Sequence, residues 1–311
     1  MTFSFSHGKM KPLKALLILD IVFGHLMYYV DYPVFHLFHE LGASCVAVFF
    51  FVSGYGLYKS WKRKRNQYLD DFFSSRVLRV LVPAICCFVL HIILCGTNGI
   101  DLCTIAKRTI TQGITVPMHY WFVIAIVFFY LLFYTCFRWI TQSFRITALY
   151  IGSFVFILLA IILHYDRCWW VCALAFPTGL TFSKYETIIR DSFGNNLKSI
   201  LKGIMIGVLS FFVFYLPNNQ YLWPFCYVSI SWIVALLVSS IPLDKVRLPI
   251  LNFIGTSSFE IYLTHITILN YLRGEQFYIR QDWLYLLLSL SITILLSFVL
   301  NRFFSIILPK H

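Results

Sequence analysis

Long apolar stretches recur along the chain and alternate with short polar segments. A membrane-spanning helix needs about 20 mostly apolar residues, and ten stretches come close to this requirement. They cover residues 12–30, 41–58, 80–97, 120–137, 146–163, 168–183, 199–216, 221–241, 250–272 and 283–303. The pattern predicts an all-α, polytopic membrane protein with about ten transmembrane helices. We expect residues 1–311 to form a single membrane domain with no separate soluble domain.

The composition supports a lipid environment for most of the chain. Hydrophobic residues make up 59% of the 311 residues, charged residues only 12%, and the mean hydropathy is +0.78. A soluble globular domain has roughly 25% charged residues, so a water-soluble protein is excluded. The first apolar stretch has the full length of a spanning helix and no small-residue cleavage site. It is interpreted as a retained span rather than a cleaved signal peptide.

The positions of the basic residues predict the orientation. If the N-terminus is cytoplasmic, 20 of the 25 Lys and Arg residues lie on the cytoplasmic side and 5 on the outer side. Cytoplasmic loops of membrane proteins carry such an excess, so both termini are predicted to be cytoplasmic. The net charge of +12 is therefore assigned to membrane anchoring, and no nucleic-acid partner is expected.

The nine cysteines do not form a recognisable disulfide or metal pattern. Their number is odd, no CxxC occurs, and most lie inside apolar stretches. We interpret them as small apolar residues, and we predict no metal site.

Ionisable residues inside the predicted spans are few, and each is a candidate functional residue because burying such a group in lipid is costly. They are Asp20, His25, His91, Glu260 and His265. Lys14 and His25 are separated by eleven positions, which places them ~20° apart on one helical face and ~16 Å apart along it. His265 reaches a similar depth in the ninth span, so the two histidines are expected to line one cavity. His91 stands alone and is as well explained by packing.

The second predicted span contains the segment Ser53-Gly54-Tyr55-Gly56. Two interpretations of these small residues stay open. They permit close packing of helices, or they mark a broken helix whose backbone lines a cavity.

Arg76 and Arg79 lie just before the third span and three positions apart, which makes them neighbours on a helical face. Two guanidinium groups presented together suit bidentate binding of phosphate. Simple anchoring at the inner membrane face is the alternative.

Taken together, these residues resemble acyltransferase family 3, whose membrane proteins acylate cell-surface carbohydrates and some small molecules. The resemblance rests on four motifs in the family's order and on a Trp-Phe pair. They are Lys14 with His25; Phe50-Phe51-Val52-Ser53-Gly54 followed by Tyr55; Arg76, Arg79 and Pro83; Gly255, Ser258, Ile261, Tyr262, Leu263 and His265; and Trp121-Phe122. The family usually has arginine at the position of Lys14, and lysine lacks the planar fork of a guanidinium.

The resemblance implies an O-acyltransferase of the bacterial cytoplasmic (inner) membrane. The co-substrate is a cytoplasmic acyl-CoA, commonly acetyl-CoA, and the acceptor is a hydroxyl of a surface or lipid-linked glycan. The roles that it implies are catalytic for His25 and Lys14; acyl-CoA binding for Arg76, Arg79, Ser53, Gly54 and Tyr55; and acceptor binding for Trp121, Ser258, Glu260, Tyr262 and His265. His25 is the expected general base, and an acyl-histidine intermediate stays open as an alternative. Asp20 lies ~140° around the helix from His25 and is not a natural partner for it.

Two other functions are compatible with the same sequence. A multispan transporter of a glycan precursor or small molecule has sparse buried polar groups and glycine-interrupted helices, although no internal repeat is evident here. A non-enzymatic scaffold of a glycan-assembly complex would leave His25 and Arg76 without a role.

Overall fold

The computed structural model describes residues 7–97, 99–194, 196–241, 249–275 and 277–308, and these are largely helical, without a β-strand among them. The helices are α1 (His7–Leu26), α2 (Pro33–Lys64), α3 (Asn66–Asp70), α4 (Leu78–Cys95), α5 (Leu102–Gln112), α6 (Trp121–Trp139), α7 (Arg145–Ile162), α8 (Ala175–Lys184), α9 (Glu186–Phe193), α10 (Leu197–Tyr215), α11 (Trp223–Ser240), α12 (Pro249–Thr256), α13 (Ser258–Leu272) and α14 (Asp282–Ile307). A π-helical turn over Phe73–Val77 leads into α4.

In the described part of the chain, seven helical segments are long and apolar enough to cross a membrane. They are Pro33–Lys64, Phe73–Cys95, Met118–Trp139, Arg145–Ile162, Leu197–Tyr215, Gln220–Ser240 and Asp282–Ile307. These segments correspond to the second, third, fourth, fifth, seventh, eighth and tenth predicted spans. They support a multi-pass membrane protein.

The first, sixth and ninth predicted spans fall outside this set for local reasons. The 20 residues of α1 include four charged side chains. The sixth stretch contains only the ten-residue α8, preceded by 3₁₀ and other turns over 167–174. Ser257 divides the ninth stretch into α12 and α13. The count of ten spans and the cytoplasmic placement of both termini therefore stay predictions.

The surface of α7 shows how apolar residues are divided between protein and lipid. Its buried face consists of Leu149, Ser153, Ile157 and Ala160, and its exposed face includes Ile151, Val155, Leu158 and Ile162. An exposed face this apolar is unfavourable in water and favourable in hydrocarbon. The fold thus suits the lipid environment that the composition predicts.

Helix α2 lies at the centre of the bundle, where it packs against α1, α8 and α11. Two glycines bring α2 and α8 together. A Cβ on Gly54 would overlap the carbonyl oxygen of Phe176, and a Cβ on Gly179 would overlap that of Phe51. Helix α2 is continuous through residues 53–56. The structure therefore supports close helix packing for this segment, and not a broken helix.

Helix α1 packs against α2, α12 and α13 and places its polar residues inside the bundle. Gly255 lets α12 contact the backbone of α1, since a Cβ there would overlap the carbonyl oxygen of Lys11. Lys9 donates a hydrogen bond of 2.8 Å to the Ser239 carbonyl at the end of α11. The interruption that the sequence suggested for α2 occurs instead at Ser257, beside this contact. We call this end of the bundle the Lys14 end and the opposite end the Trp169 end.

Candidate active site

Two histidines from distant parts of the chain meet inside the bundle. Nδ1 of His25, in the last turn of α1, lies 2.9 Å from Nε2 of His265 in α13. Their rings are nearly coplanar, with centroids 5.1 Å apart and planes 19° apart. His265 is completely buried, whereas His25 is partly exposed. The two histidines that the sequence places at similar depth are therefore hydrogen-bonded.

The backbone of α13 determines which nitrogen of each ring carries a proton. Nδ1 of His265 lies 2.8 Å from the Tyr262 carbonyl oxygen and 3.1 Å from that of Ile261. Carbonyl oxygens only accept hydrogen bonds, so this Nδ1 must carry a hydrogen. In the neutral ring Nε2 then has a lone pair, and the hydrogen shared with His25 must be on Nδ1 of His25. Nε2 of neutral His25 is consequently an unprotonated base.

Nε2 of His25 belongs to the part of the ring that faces away from His265. His25 lines a cavity of about 770 Å³ at the Trp169 end of the bundle, and this volume is typical of small-molecule sites. No described residue makes a hydrogen bond to this nitrogen. The proton acceptor, Nε2 of His25, therefore lies at the buried side of the cavity.

His119 is a third histidine at this position. Its ring centroid lies 4.8 Å from that of His265 and 5.0 Å from that of Tyr262, and only 2% of the residue is exposed. The Tyr262 hydroxyl donates a hydrogen bond to the His119 carbonyl, which fixes the backbone just before α6. We call His25, His119, Tyr262 and His265 the histidine site.

The remainder of the cavity is rich in aromatic side chains. Trp121 and Trp169 lie with ring centroids 6.2 Å apart, and the Trp169 indole donates a 2.9 Å hydrogen bond to the Gly113 carbonyl. Glu40 and Asp166, both exposed residues, also line the cavity. The turn segment at 167–174 supplies part of the wall, so irregular backbone lines a cavity as membrane proteins require.

A cluster of cations lies at the Lys14 end. Arg76 is within electrostatic range of both Lys14 and Arg79, and the Glu260 carboxylate acts on Lys14 with the opposite sign. Lys14 makes no hydrogen bond or ion pair with any described residue. Three cations with one carboxylate leave an excess of positive charge, which favours an anionic ligand.

The Arg76 guanidinium is oriented by two neutral groups. Its Nε donates a 2.8 Å hydrogen bond to the Tyr68 hydroxyl, and one terminal nitrogen donates a 3.3 Å bond to Ser60 Oγ. Burial raises the pKa of Tyr68 to about 12, against the opposing effect of Arg76. The phenol is therefore neutral at physiological pH and orients Arg76 without cancelling its charge.

A cluster of three or more side chains suited to a metal ion does not occur among the described residues.

Comparison with known families assigns the chain. Residues 11–302 of 311 match the family model described as an acyltransferase domain, that of acyltransferase family 3. The chain belongs to acyltransferase family 3. The match supports a membrane acyltransferase and does not favour the transporter or the scaffold. No curated protein and no solved structure matches the chain.

The family motifs separate into two groups in space. Trp121 and Tyr262 line the cavity beside His25, with His265 behind it. Lys14, Arg76, Arg79 and Glu260 lie at the other end, where Asn301 is also near Glu260. Ser53 and Arg76 both lie near Tyr130, so Ser53 is close to the cation cluster.

Three of the predicted site residues lie in other surroundings. Gly54 faces the backbone of α8. The Tyr55 hydroxyl donates a 2.7 Å bond to Glu186 and accepts a 2.6 Å bond from Lys59. Ser258, at the start of α13, is buried and does not line the cavity. Their implied roles in binding stay predictions.

Sequence reasoning did not select His119 or the acidic residues of the cavity. His119 lies one position before the predicted fourth span and two before Trp121. A histidine at the very start of an apolar stretch was the available signal. Its neighbours come from α13, and hydropathy does not predict which helices touch.

Proposed function

We propose that this acyltransferase moves an acyl group, acetyl in the simplest case, from acyl-CoA to a hydroxyl of a glycan, with Nε2 of His25 as the general base. The observation that carries the proposal is the hydrogen bond from His25 to His265. It places an unprotonated nitrogen at the buried side of a cavity large enough for a sugar. The number of helices and the fold do not by themselves indicate which residue acts as the base.

The base acts on the acceptor hydroxyl as it attacks the thioester carbonyl. When Nε2 of His25 takes the hydroxyl proton, the ring becomes an imidazolium whose Nδ1–H still donates to His265. His265 accepts this bond without taking the proton, because its own Nδ1–H remains bonded to the backbone of α13. A general base in such a position contributes ~10²–10⁴-fold to the rate.

The cation cluster is the proposed site for the phosphates of CoA. Lys14, Arg76 and Arg79 supply the charge, and the bonds to Tyr68 and Ser60 orient the Arg76 guanidinium. Charge-assisted bonds of this kind are the stronger ones in proteins. Eleven residues of α1 separate Lys14 from His25, or ~16 Å, and the extended acyl-pantetheine arm of the donor would cross this distance.

The aromatic cavity is the proposed acceptor site. Sugar rings present C–H faces that stack on aromatic rings, and hydroxyls that donate to carboxylates. Trp121 and Trp169 offer the first kind of contact, and Glu40 and Asp166 the second. With the Lys14 end in the cytoplasm of a bacterium, the acceptor would be a surface or lipid-linked glycan at the outer side of the inner membrane.

The test is the O-acetyl content of surface glycan in a null mutant of the source organism that expresses either wild-type protein or His25→Ala. A matched control is His36→Ala, a histidine at the start of α2 with a side chain 53% exposed and outside the cavity lining. Membrane levels are compared by immunoblot. We expect acetylation with wild type and His36→Ala and its loss with His25→Ala.

Other results would change the proposal in separate ways. Equal acetylation by wild type and His25→Ala would remove His25 as the base. If wild type leaves the glycan unchanged, the acceptor class is wrong. The same Nε2 lone pair suits an acyl-histidine intermediate, and a mass increase of His25 by one acyl group after acid quenching would show that route.

A further inference from the structure

Arg273 lies directly after α13 and is buried although it carries a permanent charge. Only 8% of its side chain is exposed. Its Nε donates a 3.2 Å hydrogen bond to the Ile279 carbonyl, one terminal nitrogen donates to the Asp282 carboxylate, and the other donates to the Tyr29 carbonyl. The guanidinium also lies over the ring of Tyr285, 4.3 Å from its centroid. Burial of a cation is costly unless it is paired and hydrogen-bonded, and here all three nitrogens have partners.

One of these contacts joins distant parts of the chain. Asp282 follows Arg273 by nine positions, whereas Tyr29 precedes it by 244 and lies just after α1. The Tyr29 hydroxyl reinforces the connection by donating a hydrogen bond to Oδ1 of Asn270, near the end of α13. We call Tyr29, Asn270, Arg273 and Asp282 the Arg273 cluster. The cluster thus fastens the segment after α1 to the C-terminal end of α13.

The fastened segment is continuous with the part of α1 that carries His25. The Tyr29 N–H donates a 2.9 Å hydrogen bond to the carbonyl of Leu26, which follows His25 and is the last residue of α1. On the other side, His265 lies in α13, and Arg273 follows that helix directly. The Arg273 cluster and the hydrogen bond between the two histidines therefore connect the same two helices. Along α1 the two connections are about one helical turn apart.

Apolar residues of α1 and α13 also pack together near the histidines. Leu26, Ile266 and Leu269 belong to one buried apolar cluster. Such contacts have no preferred direction, and in lipid there is no hydrophobic driving force between helices to select one arrangement. The hydrogen bond between His25 and His265 is directional, because it weakens steeply as its angle departs from linear. A polar connection close by is therefore suited to keep the two rings aligned.

We infer that Arg273 is a positioning residue of this acyltransferase, which holds the end of α1 on α13 through the Tyr29 carbonyl. With the helices held in this way, Nδ1–H of His25 stays bonded to Nε2 of His265, and Nε2 of His25 stays free to act as the base. The inference rests on the proposed function. Arg273 acts through the histidines and not on a substrate, because no member of the Arg273 cluster lines the cavity.

The first experiment measures the tautomer of His25 directly. Solid-state NMR spectra of membrane-embedded protein, labelled in histidine with stable isotopes, distinguish the Nδ1–H ring from the Nε2–H ring when both are neutral. The signals of His25 are identified by comparison with His25→Ala. Wild type should show His25 as the Nδ1–H tautomer alone. In Arg273→Gln we expect a second His25 signal from the Nε2–H tautomer, because the bond to His265 is no longer maintained.

The second experiment is kinetic and uses Arg280→Gln as the matched control, because Arg280 is an exposed arginine between α13 and α14. Initial rates are measured with acetyl-CoA in membrane vesicles that contain the native acceptor. Arg273→Gln should lower kcat ~10- to 100-fold, as expected when a distant substitution displaces a reacting group, with the KM for acetyl-CoA within about 2-fold. Tyr29→Phe, which loses only the bond to Asn270, should lower kcat roughly 2- to 10-fold. Arg280→Gln should keep wild-type kinetics.

A double variant separates positioning from general stabilisation. If Arg273 acts through the two histidines, adding Arg273→Gln to His265→Phe should lower kcat no further, because the contact that it maintains is already absent. A general loss of stability would lower kcat by similar factors in both backgrounds. Thermal unfolding of each protein is measured in detergent. If Arg273→Gln does not fold, the His25 tautomer and kcat of Tyr29→Phe, alone and combined with His265→Phe, decide in the same way.

Three results would overturn the inference. One is an unchanged His25 tautomer in folded Arg273→Gln. Another is wild-type kcat in that variant. The third is an equal further loss of kcat when Arg273→Gln is added to His265→Phe, which would indicate a purely structural role. Absence of acyl transfer by wild type would instead overturn the proposed function, and the NMR measurement, which needs no activity, would still show whether Arg273 positions His25.

Discussion

The two ends of the candidate site hold their polar groups in opposite ways. At the Lys14 end, three basic side chains collect beside one carboxylate, and the neutral Tyr68 orients Arg76. In the histidine site, backbone carbonyls of α13 fix the proton on Nδ1 of His265, and this in turn places a proton on Nδ1 of His25. The first arrangement recognises an anion and the second moves a proton. Substitutions at the first end should therefore change KM for the donor, and those at the second should change kcat.

The largest effect is expected for His265→Phe, which removes the acceptor of the His25 Nδ1–H. We expect kcat to fall roughly 100- to 1,000-fold. This is more than the loss of a single hydrogen bond to a charged group usually causes, and less than the fall in kcat when a catalytic histidine is held in the wrong tautomer. His265→Gln keeps an acceptor oxygen and should therefore retain part of the wild-type kcat. The measurement is the initial rate in vesicles at saturating acetyl-CoA.

A double-mutant cycle sharpens this prediction. If His265 acts through His25, the double variant His25→Ala with His265→Phe should be no slower than His25→Ala alone. Fully additive losses would show that His265 has a separate role.

A smaller effect, on the other kinetic constant, is expected for Arg76→Ala. Loss of charge-assisted bonds to phosphate should raise the KM for acetyl-CoA roughly 10- to 100-fold, with kcat changed little. Arg138→Ala is the matched control, since that arginine pairs with Asp70 at the surface. A fall in kcat at unchanged KM would contradict the division between the two ends.

The same division distinguishes what the sequence does and does not predict. Hydropathy predicts the long apolar helices well, because length in a bilayer is set by membrane thickness. It places the start of the second span at residue 41, whereas α2 begins at Pro33, since a helix continues beyond the hydrocarbon and proline favours its first position. It does not show that residues 167–174 form turns.

For the site, depth along each helix can be read from the sequence, but lateral contacts cannot. His25 and His265 are candidates because burying an ionisable group in lipid needs a reason, and Lys14 is a candidate because it shares a helical face with His25. Their pairing depends on how α1 and α13 pack, which Gly255 controls through a contact with the α1 backbone. The contacts of His119 with Tyr262 and His265 could not be predicted, because these α13 residues are more than 140 positions away in the sequence.

A weaker effect on donor affinity is expected for Tyr68→Phe. The variant loses the hydroxyl that accepts from Arg76 Nε but keeps the ring, which lies 5.6 Å from the guanidinium. One hydrogen bond of this kind should raise the KM for acetyl-CoA roughly 2- to 10-fold. Its measurement beside Arg76→Ala shows how much of the affinity depends on orientation. An effect as large as that of Arg76→Ala would mean that Tyr68 contacts the donor directly.

The smallest kinetic effect is expected for Tyr55→Phe, and it tests which region the Ser53–Gly56 segment serves. The Tyr55 hydroxyl joins α2 to α9 by donating a hydrogen bond to Glu186, and it accepts one from Lys59 of α2. Its removal should lower the free energy of unfolding by about 1 kcal/mol. Thermal unfolding in detergent checks this, with donor KM measured in parallel. The resemblance to the family implies that Tyr55 binds acyl-CoA, and a KM increase of ~10-fold would support that role. An unchanged KM with a lower Tm would leave Tyr55 as a clamp between helices, and the donor site would then consist of the cation cluster and the groups that orient it.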